Sequence, residues 1–366
     1  MSAAFAWTDS TVRDALGLPP RSGTPASTFP AISTDTRTAG HGELFVALVG
    51  DSFDGHDFLG EAAARELGGA VVSRETASSG SLPLYRVADT LDALGALARY
   101  RRRALPARIA AITGSSGKTT VKEILAAALS GSFRVHATQG NQNNRVGVPL
   151  TLLAAPDSAE VVVLEMGTSV PGEISTLTAI AEPDAGLVTT VSEAHLEGLG
   201  SFEGVLEEKL ALVQGAKRDA VLVVGDDPPA LPRRAREIRE GVHVAGLSDA
   251  ADPELKGKLL SSGPDGRYRV RFSGREIGAG MPGKHGARNL VLALSLAKLL
   301  GADAESAARG AAAVHGRKLR NEVRAIGGLT LLLDCYNANP QSVAAALDLL
   351  GEIPSAGGRV ALLASM

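Results

Sequence analysis

The sequence has 366 residues, of which 45% are apolar and 21% are charged, and its 37 basic and 40 acidic side chains leave a net charge of −3. This composition is typical of a globular protein and excludes a strongly basic nucleic-acid binder, while the length predicts two or three domains of roughly 150 residues each. No apolar run approaches the ~18 residues of a membrane span, and Asp9 and Asp14 interrupt the apolar core that a secretory signal requires. We therefore expect a soluble, cytoplasmic protein, and its single cysteine, Cys335, excludes an internal disulfide.

The first hundred residues predict a small α/β domain, for which we set the bounds 1–106. Short apolar runs such as GELFVALVG alternate with glycine and aspartate turns, and the stretch LDALGALARYRRRA predicts a closing helix. Arg99 and Arg101 to Arg103 lie at the end of that helix. We interpret them as cations that interact with the helix dipole, and we assign them no binding partner.

The hydrophobic pattern changes at Arg108, and this change predicts a central domain with bounds 107–316. Almost wholly apolar strands then alternate with helices, which indicates a parallel sheet covered on both faces. Between Pro253 and Ala279 the stretch GRYRVRFSGREIGAG predicts an antiparallel hairpin. The following ARNLVLALSLAKLLG predicts an amphipathic helix that begins near Asn289.

The last segment, residues 317–366, predicts the start of a third domain. It contains the strand GLTLLLDCY, a helix that begins near Pro340, and the strand RVALLAS. Two strands and a helix are too little to bury a core. We therefore expect this third domain to be incomplete in the present sequence.

The stretch AITGSSGKTTVKE predicts a phosphate-binding loop between a strand that ends at Thr113 and a helix that begins near Thr119. Backbone N–H groups at such a turn and at the helix N-terminus bind oxyanions. Lys118 would neutralise phosphate charge, and the Thr119 hydroxyl could bind Mg²⁺. The residues that this motif assigns to ATP are Thr113, Gly114, Ser115, Ser116, Gly117, Lys118, Thr119 and Thr120.

Two further candidates follow apolar strands of the predicted sheet. Glu165 ends EVVVLE, and His195 follows AGLVTTVSEA, so both belong at the carboxyl edge where ligands bind in such folds. A carboxylate and an imidazole there could hold Mg²⁺ together with Thr119. Lys209 lies within FEGVLEEKLALV, and its spacing alone favours a solvated helix lysine paired with an acid one turn away.

The shortened loop Thr-Gly-x-x-Gly-Lys-Thr-Thr resembles that of the Mur ligases and the related folylpolyglutamate synthetases, which are ATP-dependent amide-forming enzymes. GNQNNRVGVPLTLL, EMGTSVPGEI, AHLEGLGSFEGVLEEK and YNANPQS are similar to the Mur ligases that add D-alanyl-D-alanine to UDP-N-acetylmuramoyl-tripeptide. The resemblance implies an α/β, multi-domain Mur ligase fold with a central P-loop parallel-sheet domain and a Rossmann-like C-terminal domain. It also implies ATP and Mg²⁺, an acyl phosphate intermediate and a monomer.

The resemblance also implies roles for individual residues. Lys118, His195 and Lys209 would be catalytic, and Lys209 would be carbamylated so that it helps to hold a second Mg²⁺. The implied metal ligands are Thr119, Glu165, His195 and Lys209. Adenosine-side contacts would come from Asn289, Arg317 and Asp334. Contacts to the UDP substrate would come from Ser33, Thr34 and Asp54, with Asn143 and Asn144 bridging towards the active centre.

Two alternatives stay open at this stage. The first is a sister ligase that adds a different amino acid, or a folylpolyglutamate synthetase-like ligase, against which YNANP and GNQNNRVGVPLTLL argue. The second is a truncated nucleotide-binding module, against which the retained Lys118, Glu165, His195 and Lys209 argue. Because the sequence ends at LLASM, we expect it to bind nucleotide or UDP-precursor but to ligate poorly.

Overall fold

The computed structural model describes residues 5–21, 27–74, 80, 82–192, 196–316, 320–335, 338, 340–355 and 357–363. Within these ranges the chain forms a mixed α/β structure whose two larger sheets are wholly parallel. None of the helices in these ranges combines the length and the apolar character that crossing a bilayer requires.

The N-terminal part contains a four-stranded parallel sheet packed against a long helix. The sheet has the order β3-β4-β5-β6, and Leu44, Val71 and Leu94 belong to the buried cluster between it and the helix. The four strands of this sheet are β3 (Ile32–Ser33), β4 (Leu44–Val46), β5 (Gly69–Val72) and β6 (Leu84–Arg86), and a separate antiparallel pair is formed by β1 (Trp7–Thr8) and β2 (Thr28–Phe29). The helices are α1 (Asp9–Leu16), α2 (Leu59–Ala64) and α3 (Thr90–Ala104), with a 3₁₀ turn at Gly55–Phe58.

Four arginines at the end of α3, which we call the arginine seam (Arg99, Arg101, Arg102 and Arg103), connect the N-terminal part to the central sheet. The predicted position at a helix C-terminus is correct, because α3 ends at Ala104. The dipole interpretation is incomplete, however, because each arginine also pairs with a distant acid. Arg99 and Arg103 pair with Glu182, Arg101 with Asp157 and Arg102 with Asp184, at 2.6 to 2.9 Å.

Replacing Arg102 by alanine is expected to lower the free energy of unfolding by about 3 kcal/mol, because it removes one partner of a buried ion pair. The Arg102 guanidinium is buried and donates to the Ala181 carbonyl at 2.8 Å and to the Asp184 carboxylate at 2.6 Å. Lys217 still pairs with Asp184 in the variant, which keeps the loss at the lower end of the range for buried pairs. Urea denaturation measures the change.

Arg103→Ala is the matched control, because Arg103 is the next residue and its side chain is 58% exposed in its pair with Glu182. Exposed ion pairs contribute about 1 kcal/mol or less. Equal losses in the two variants would contradict the buried role of Arg102.

The central part contains a six-stranded parallel sheet with the order β12-β11-β10-β7-β9-β8, which confirms the predicted parallel architecture. Chain order reverses on either side of β7, and ligands bind at the carboxyl ends of strands at such a switch point. The strands are β7 (Arg108–Thr113), β8 (Val135–Ala137), β9 (Val161–Glu165), β10 (Ala185–Val188), β11 (Val221–Gly225) and β12 (His243–Ala245). The helices are α4 (Lys118–Ser130), α5 (Gly147–Leu153), α6 (Glu173–Ala181), α7 (Leu196–Leu199), α8 (Phe202–Gly215) and α9 (Ala230–Ile238), followed by a 3₁₀ turn at Pro253–Leu255.

An antiparallel sheet and a buried helix complete the central part. The predicted hairpin is present and gains a third strand, giving β13 (Lys258–Ser262), β14 (Arg267–Phe272) and β15 (Arg275–Pro282). The next helices are α10 (Gly283–Leu299) and α11 (Ala304–Ala312). The prediction of an amphipathic α10 that begins near Asn289 is wrong: α10 begins at Gly283, and every residue from Leu290 to Ala297 is buried. The helix packs between α4 on one side and β14 and β15 on another, so its middle, residues 290–297, has no face left to water.

The last described segment forms the antiparallel hairpin β16 (Glu322–Ile326) and β17 (Leu329–Leu333), followed by α12 (Pro340–Glu352). The connecting Gly327 and Gly328 both have positive φ, at 56° and 80°, which suits a two-residue hairpin turn. A strand at RVALLAS is not formed in residues 359–363, where Val360 and Leu362 are 79% and 94% exposed. Within the described ranges this stretch has no strand beside it to pair with, and an extended segment needs such a partner.

Candidate active site

A cavity of about 920 Å³ lies at the carboxyl edge of the central sheet. Its walls come from the phosphate loop, the ends of β9 and β10, the start of α10 and one face of α12. Of the residues that the sequence assigned to a site, those that line it are Ser115, Ser116, Gly117, Lys118, Thr119, Thr120, Asn143, Asn144, Glu165, Asn289 and Asp334. His195 and Arg317 lie outside the described residues.

The phosphate loop needs glycine at both of its ends. Gly114 has a φ of +146°, and a Cβ added there would lie 2.0 Å from Thr189 Oγ1. Gly117 has a φ of +80°, and a Cβ there would lie 2.6 Å from Asn289 Oδ1. Because α4 begins directly after Gly117, its first backbone N–H groups face the cavity, where they can bind an anion.

Lys118 is held at the mouth of the loop. Its Nζ donates to the Gly114 carbonyl at 2.7 Å, and desolvation in the cavity lowers its pKa, against the opposing attraction of Glu165. Thr113 does not line the cavity: its buried hydroxyl donates to the Met166 carbonyl at 2.9 Å. Gly114 contributes its carbonyl to Lys118 and does not line the cavity either.

Glu165 has the properties of a cation ligand. Its carboxylate is 2% exposed, and Oε1 accepts from Thr119 Oγ1 at 3.1 Å and from Asn143 Nδ2 at 2.9 Å. The other oxygen, Oε2, is buried at the cavity wall without a hydrogen-bond partner among the described residues. A buried carboxylate oxygen without a donor is costly, so this atom fits a bound cation. Among the same residues, no group of three or more His, Cys, Asp and Glu side chains is arranged so that it could hold a metal ion by itself.

Lys209 is buried, so its interpretation as a solvated lysine from spacing alone is wrong. It lies on the inner face of α8 with 1% exposure. Burial lowers its pKa to about 7, helped by repulsion from Lys118 and opposed by attraction to Glu208 and Glu173. A large fraction of such a lysine is a neutral amine at neutral pH, which is the form that reacts with an electrophile.

Another part of the cavity wall comes from the start of α10 and from residues around the β16–β17 hairpin. Asn289 lies against Gly117 of the loop. Asp334 is half-buried, and burial raises its pKa, while Oδ1 accepts from the backbone N–H of Asn321 at 3.1 Å. Sequence reasoning missed Arg288, which pairs with Asp226 at 3.2 Å and Asp227 at 3.1 Å.

These missed residues carried a signal in the sequence. Asp227 follows the apolar strand VLVVG, so the same strand-end argument that selected Glu165 applies to it. Arg288 directly precedes Asn289, and both lie in the first turns of α10.

Ser33, Thr34 and Asp54 do not line the cavity but lie around the N-terminal sheet. Burial would raise the pKa of Asp54, yet hydrogen bonds from Arg74 and His56 lower it to about 2. The His56 ring is buried between Asp54 and the end of β5: Nδ1 lies 2.6 Å from Asp54 Oδ1, and Nε2 accepts from the Ser73 backbone N–H at 2.9 Å. This arrangement requires Nδ1 to be the donor. The His56 ring therefore connects Asp54 with Ser73, the residue that follows β5.

Asn143 and Asn144 lie at the cavity, on its side towards the N-terminal part. Asn143 binds Glu165, and the Asn144 side chain accepts from the backbone N–H groups of Val146 and Gly147 at the start of α5. The next residue, Arg145, pairs with Asp92 of α3 at 2.6 Å. The segment 143–145 therefore connects the cavity with α3.

The sequence of this chain is similar to those of known proteins. Residues 112–297 match the family described as the Mur ligase middle domain. A UDP-N-acetylmuramoyl-tripeptide--D-alanyl-D-alanine ligase of Bacillus subtilis is 35% identical over 340 residues, covering 92% of this chain and 73% of that protein.

Solved structures agree with the sequence relatives. The crystal structure of MurF from Acinetobacter baumannii superimposes with a TM-score of 0.83 at 28% identity, over 95% of this chain and 77% of that one. The structure of the MurF ligase from Thermotoga maritima in complex with ADP gives a TM-score of 0.79 at 29% identity, over 88% of this chain and 75% of that one.

Proposed function

This chain belongs to the Mur ligase family, and from that premise we propose that it joins D-alanyl-D-alanine to UDP-N-acetylmuramoyl-tripeptide with ATP, in peptidoglycan precursor synthesis. The observation that carries the proposal is the pairing of Thr119, in the phosphate loop, with the partly unsatisfied Glu165 carboxylate in one cavity. The 35% identity to a UDP-N-acetylmuramoyl-tripeptide--D-alanyl-D-alanine ligase favours this branch over the sister ligases.

The reaction needs an activated carboxylate, because oxide is a poor leaving group. The terminal carboxylate of the tripeptide attacks the γ-phosphorus of ATP, which gives an acyl phosphate and releases ADP. The amine of D-alanyl-D-alanine then attacks the acyl carbon, an amide forms, and phosphate leaves. One ATP, one carboxylate and one ammonium group thus give one amide, ADP, phosphate and one proton.

The protein's part in these steps is mainly to position the reactants and stabilise charge. The backbone N–H groups at the start of α4 would bind phosphate oxygens, and Lys118 would exchange its bond to the Gly114 carbonyl for the β- and γ-phosphates. The Thr119 hydroxyl and Glu165 carboxylate would hold Mg²⁺, which when bound neutralises the charge of the transferred phosphoryl group. Asn143 orients the carboxylate by its hydrogen bond to Oε1.

We also propose that Lys209 is carbamylated. Its neutral amine would attack the carbon of CO₂ and lose a proton, which turns a buried base into an anion within electrostatic range of Lys118. His195 is retained as a proposed ligand on the family resemblance alone, as is Arg317 for the nucleotide. Asn289 and Asp334, which line the cavity, are the proposed adenosine-side contacts.

We propose one role for each of the three domains expected from the sequence. Residues 1–106 would bind the UDP end of the acceptor through Ser33, Thr34 and Asp54, residues 107–316 would bind ATP, and residues 317–366 would contribute to the C-terminal wall. We infer a cytoplasmic location, since the reaction consumes ATP, and we infer a monomer from the family resemblance alone.

A phosphate-release assay tests the function directly. We expect release only when ATP, Mg²⁺, UDP-N-acetylmuramoyl-tripeptide and D-alanyl-D-alanine are all present. Turnover with meso-diaminopimelate, lysine or glutamate in place of the dipeptide would favour a sister ligase instead. Nucleotide binding without any dipeptide-dependent turnover would contradict the proposal for this chain and favour a binding module.

A further inference from the structure

Glu208 is a buried carboxylate in a position that the reaction itself does not explain. It is 7% exposed on α8, and its two oxygens bind two different amides at the start of α6. Oε2 accepts from the Gly172 N–H at 2.7 Å, and Oε1 accepts from the Ile174 N–H at 2.8 Å. A carboxylate here satisfies donors that the helix cannot satisfy itself and interacts favourably with the helix dipole.

The segment that Glu208 holds is the strand-end loop, residues 167–172, which connects β9 to α6. Two of its amides are held by other segments and by α6: Gly167 donates to the Asn143 carbonyl at 2.7 Å, and Ser169 donates to Glu173 Oε2 at 2.6 Å. Glu173 is close in sequence, whereas Glu208 reaches the loop from another helix. Glu208 therefore fixes the loop relative to α8, not merely its internal shape.

The strand-end loop forms part of the cavity wall through Gly167, Thr168 and Ser169. It begins two residues after Glu165, so it lies beside the proposed metal site. Its first residue is bonded to Asn143, and the segment 143–145 leads to the N-terminal helix through the Arg145–Asp92 pair. On the other side, the phosphate loop is bordered by Asn289 of α10.

In this position the strand-end loop can contact the acceptor substrate. The acceptor carboxylate must approach the γ-phosphorus to about 3–3.5 Å, while the UDP end belongs to the N-terminal part. The acceptor would therefore extend from the N-terminal part to the phosphate loop along the wall made by Asn143 and residues 167–169. A displacement of this wall by a fraction of an ångström would misplace the acceptor and leave the nucleotide in position.

We propose that Glu208 is a positioning residue for the acceptor substrate: it fixes the strand-end loop against α8, so that Thr168 and Ser169 hold the tripeptide end of UDP-N-acetylmuramoyl-tripeptide at the phosphate loop. This inference rests on the proposed function and adds a residue that acts through others. It predicts that loss of the Glu208 carboxylate weakens binding of UDP-N-acetylmuramoyl-tripeptide and leaves binding of Mg·ADP unchanged.

The test is isothermal titration of UDP-N-acetylmuramoyl-tripeptide and of Mg·ADP into the unaltered chain and into Glu208→Gln. Glutamine has the same shape but only one accepting oxygen, so one of the Gly172 and Ile174 N–H groups loses its partner. We expect about tenfold weaker binding of the tripeptide substrate, the size of one charge-assisted hydrogen bond, with Mg·ADP affinity unchanged within about twofold.

Glu207→Gln is the matched control, since Glu207 is the preceding residue and its exposed carboxylate pairs with Arg234. It should change neither affinity. Hydrogen exchange adds a second readout: we expect faster exchange at Gly172 and Ile174 in Glu208→Gln, with the amides of α4 unchanged. If Glu208→Gln does not fold, Glu208→Asp, which keeps the charge on a shorter side chain, is measured in the same way.

The outcomes separate the inference from the function on which it rests. If the unaltered chain does not bind the tripeptide substrate, the proposed function fails. If it binds and Glu208→Gln binds equally well, the inference about Glu208 fails alone. An equal loss of both affinities would show that Glu208 has only a structural role, and would also overturn the inference.

Discussion

Replacing Lys118 by methionine is expected to lower kcat for dipeptide-dependent phosphate release by about 10³-fold, the size of effect that follows loss of one charge-stabilising group in a transferase site. Methionine keeps most of the length and removes the charge. In the structure the Lys118 ammonium binds only loop carbonyls within the described residues, at 2.7 Å for Gly114, and desolvation lowers its pKa. Desolvation of the Lys118 ammonium therefore destabilises the folded protein. Bound phosphate groups would offset this destabilisation by pairing with the ammonium.

The variant should be at least as stable as the unaltered protein in thermal unfolding without nucleotide, because a desolvated charge has been removed. Lys258→Met, at an exposed lysine at the start of β13, is the control and should change neither activity nor stability. Turnover by Lys118→Met above about a tenth of the unaltered rate would contradict the role of Lys118 in phosphoryl transfer.

Local patterns allowed the phosphate loop and the parallel sheet to be predicted, because both are encoded in contiguous residues. A buried strand that ends at Thr113 and a Gly-Lys-Thr turn into α4 need no distant partner to be identified. Glu165 followed from the same logic, since the carboxyl ends of parallel strands share one edge. The Gly327-Gly328 dipeptide before the strand LTLLL also indicates a hairpin turn, because glycine accepts positive φ at both turn positions.

Features that depend on distant parts of the chain could not be predicted in this way. The partners of Arg102 lie about eighty positions later in the sequence, at Ala181 and Asp184. The all-round burial of the middle of α10 depends on β14, β15 and α4 packing around it, although the nearly unbroken apolar run from 290 to 297 could have indicated a buried helix. Lys209 illustrates the same limit, because a lysine with acids one turn away is ordinarily solvated and only the packing of α8 shows otherwise.

Replacing Lys209 by methionine is expected to stabilise the nucleotide-free protein near pH 7 and to abolish most of its activity. The folded-state pKa of Lys209 is about 7, below its ordinary value of 10.5. Between these values the unfolded chain binds more protons than the folded chain, so the stability of the unaltered protein rises with pH across this window. The cost of burying the lysine is fully present below pH 7 and disappears as the pH approaches 10.5.

The stabilisation by Lys209→Met should accordingly be a few kcal/mol at pH 6.5, since each pKa unit corresponds to about 1.4 kcal/mol, and should shrink steadily at pH 8 and pH 9.5. Urea denaturation with EDTA and without nucleotide measures it, with Lys258→Met as the control that stays within about 0.5 kcal/mol at every pH. Activity should fall by about 10²-fold or more, because methionine can neither be carbamylated nor assist charge neutralisation. If Lys209→Met were less stable at pH 6.5, Lys209 would be a stabilising structural cation. A buried lysine that is kept for catalysis requires the opposite: the variant gains stability and loses turnover.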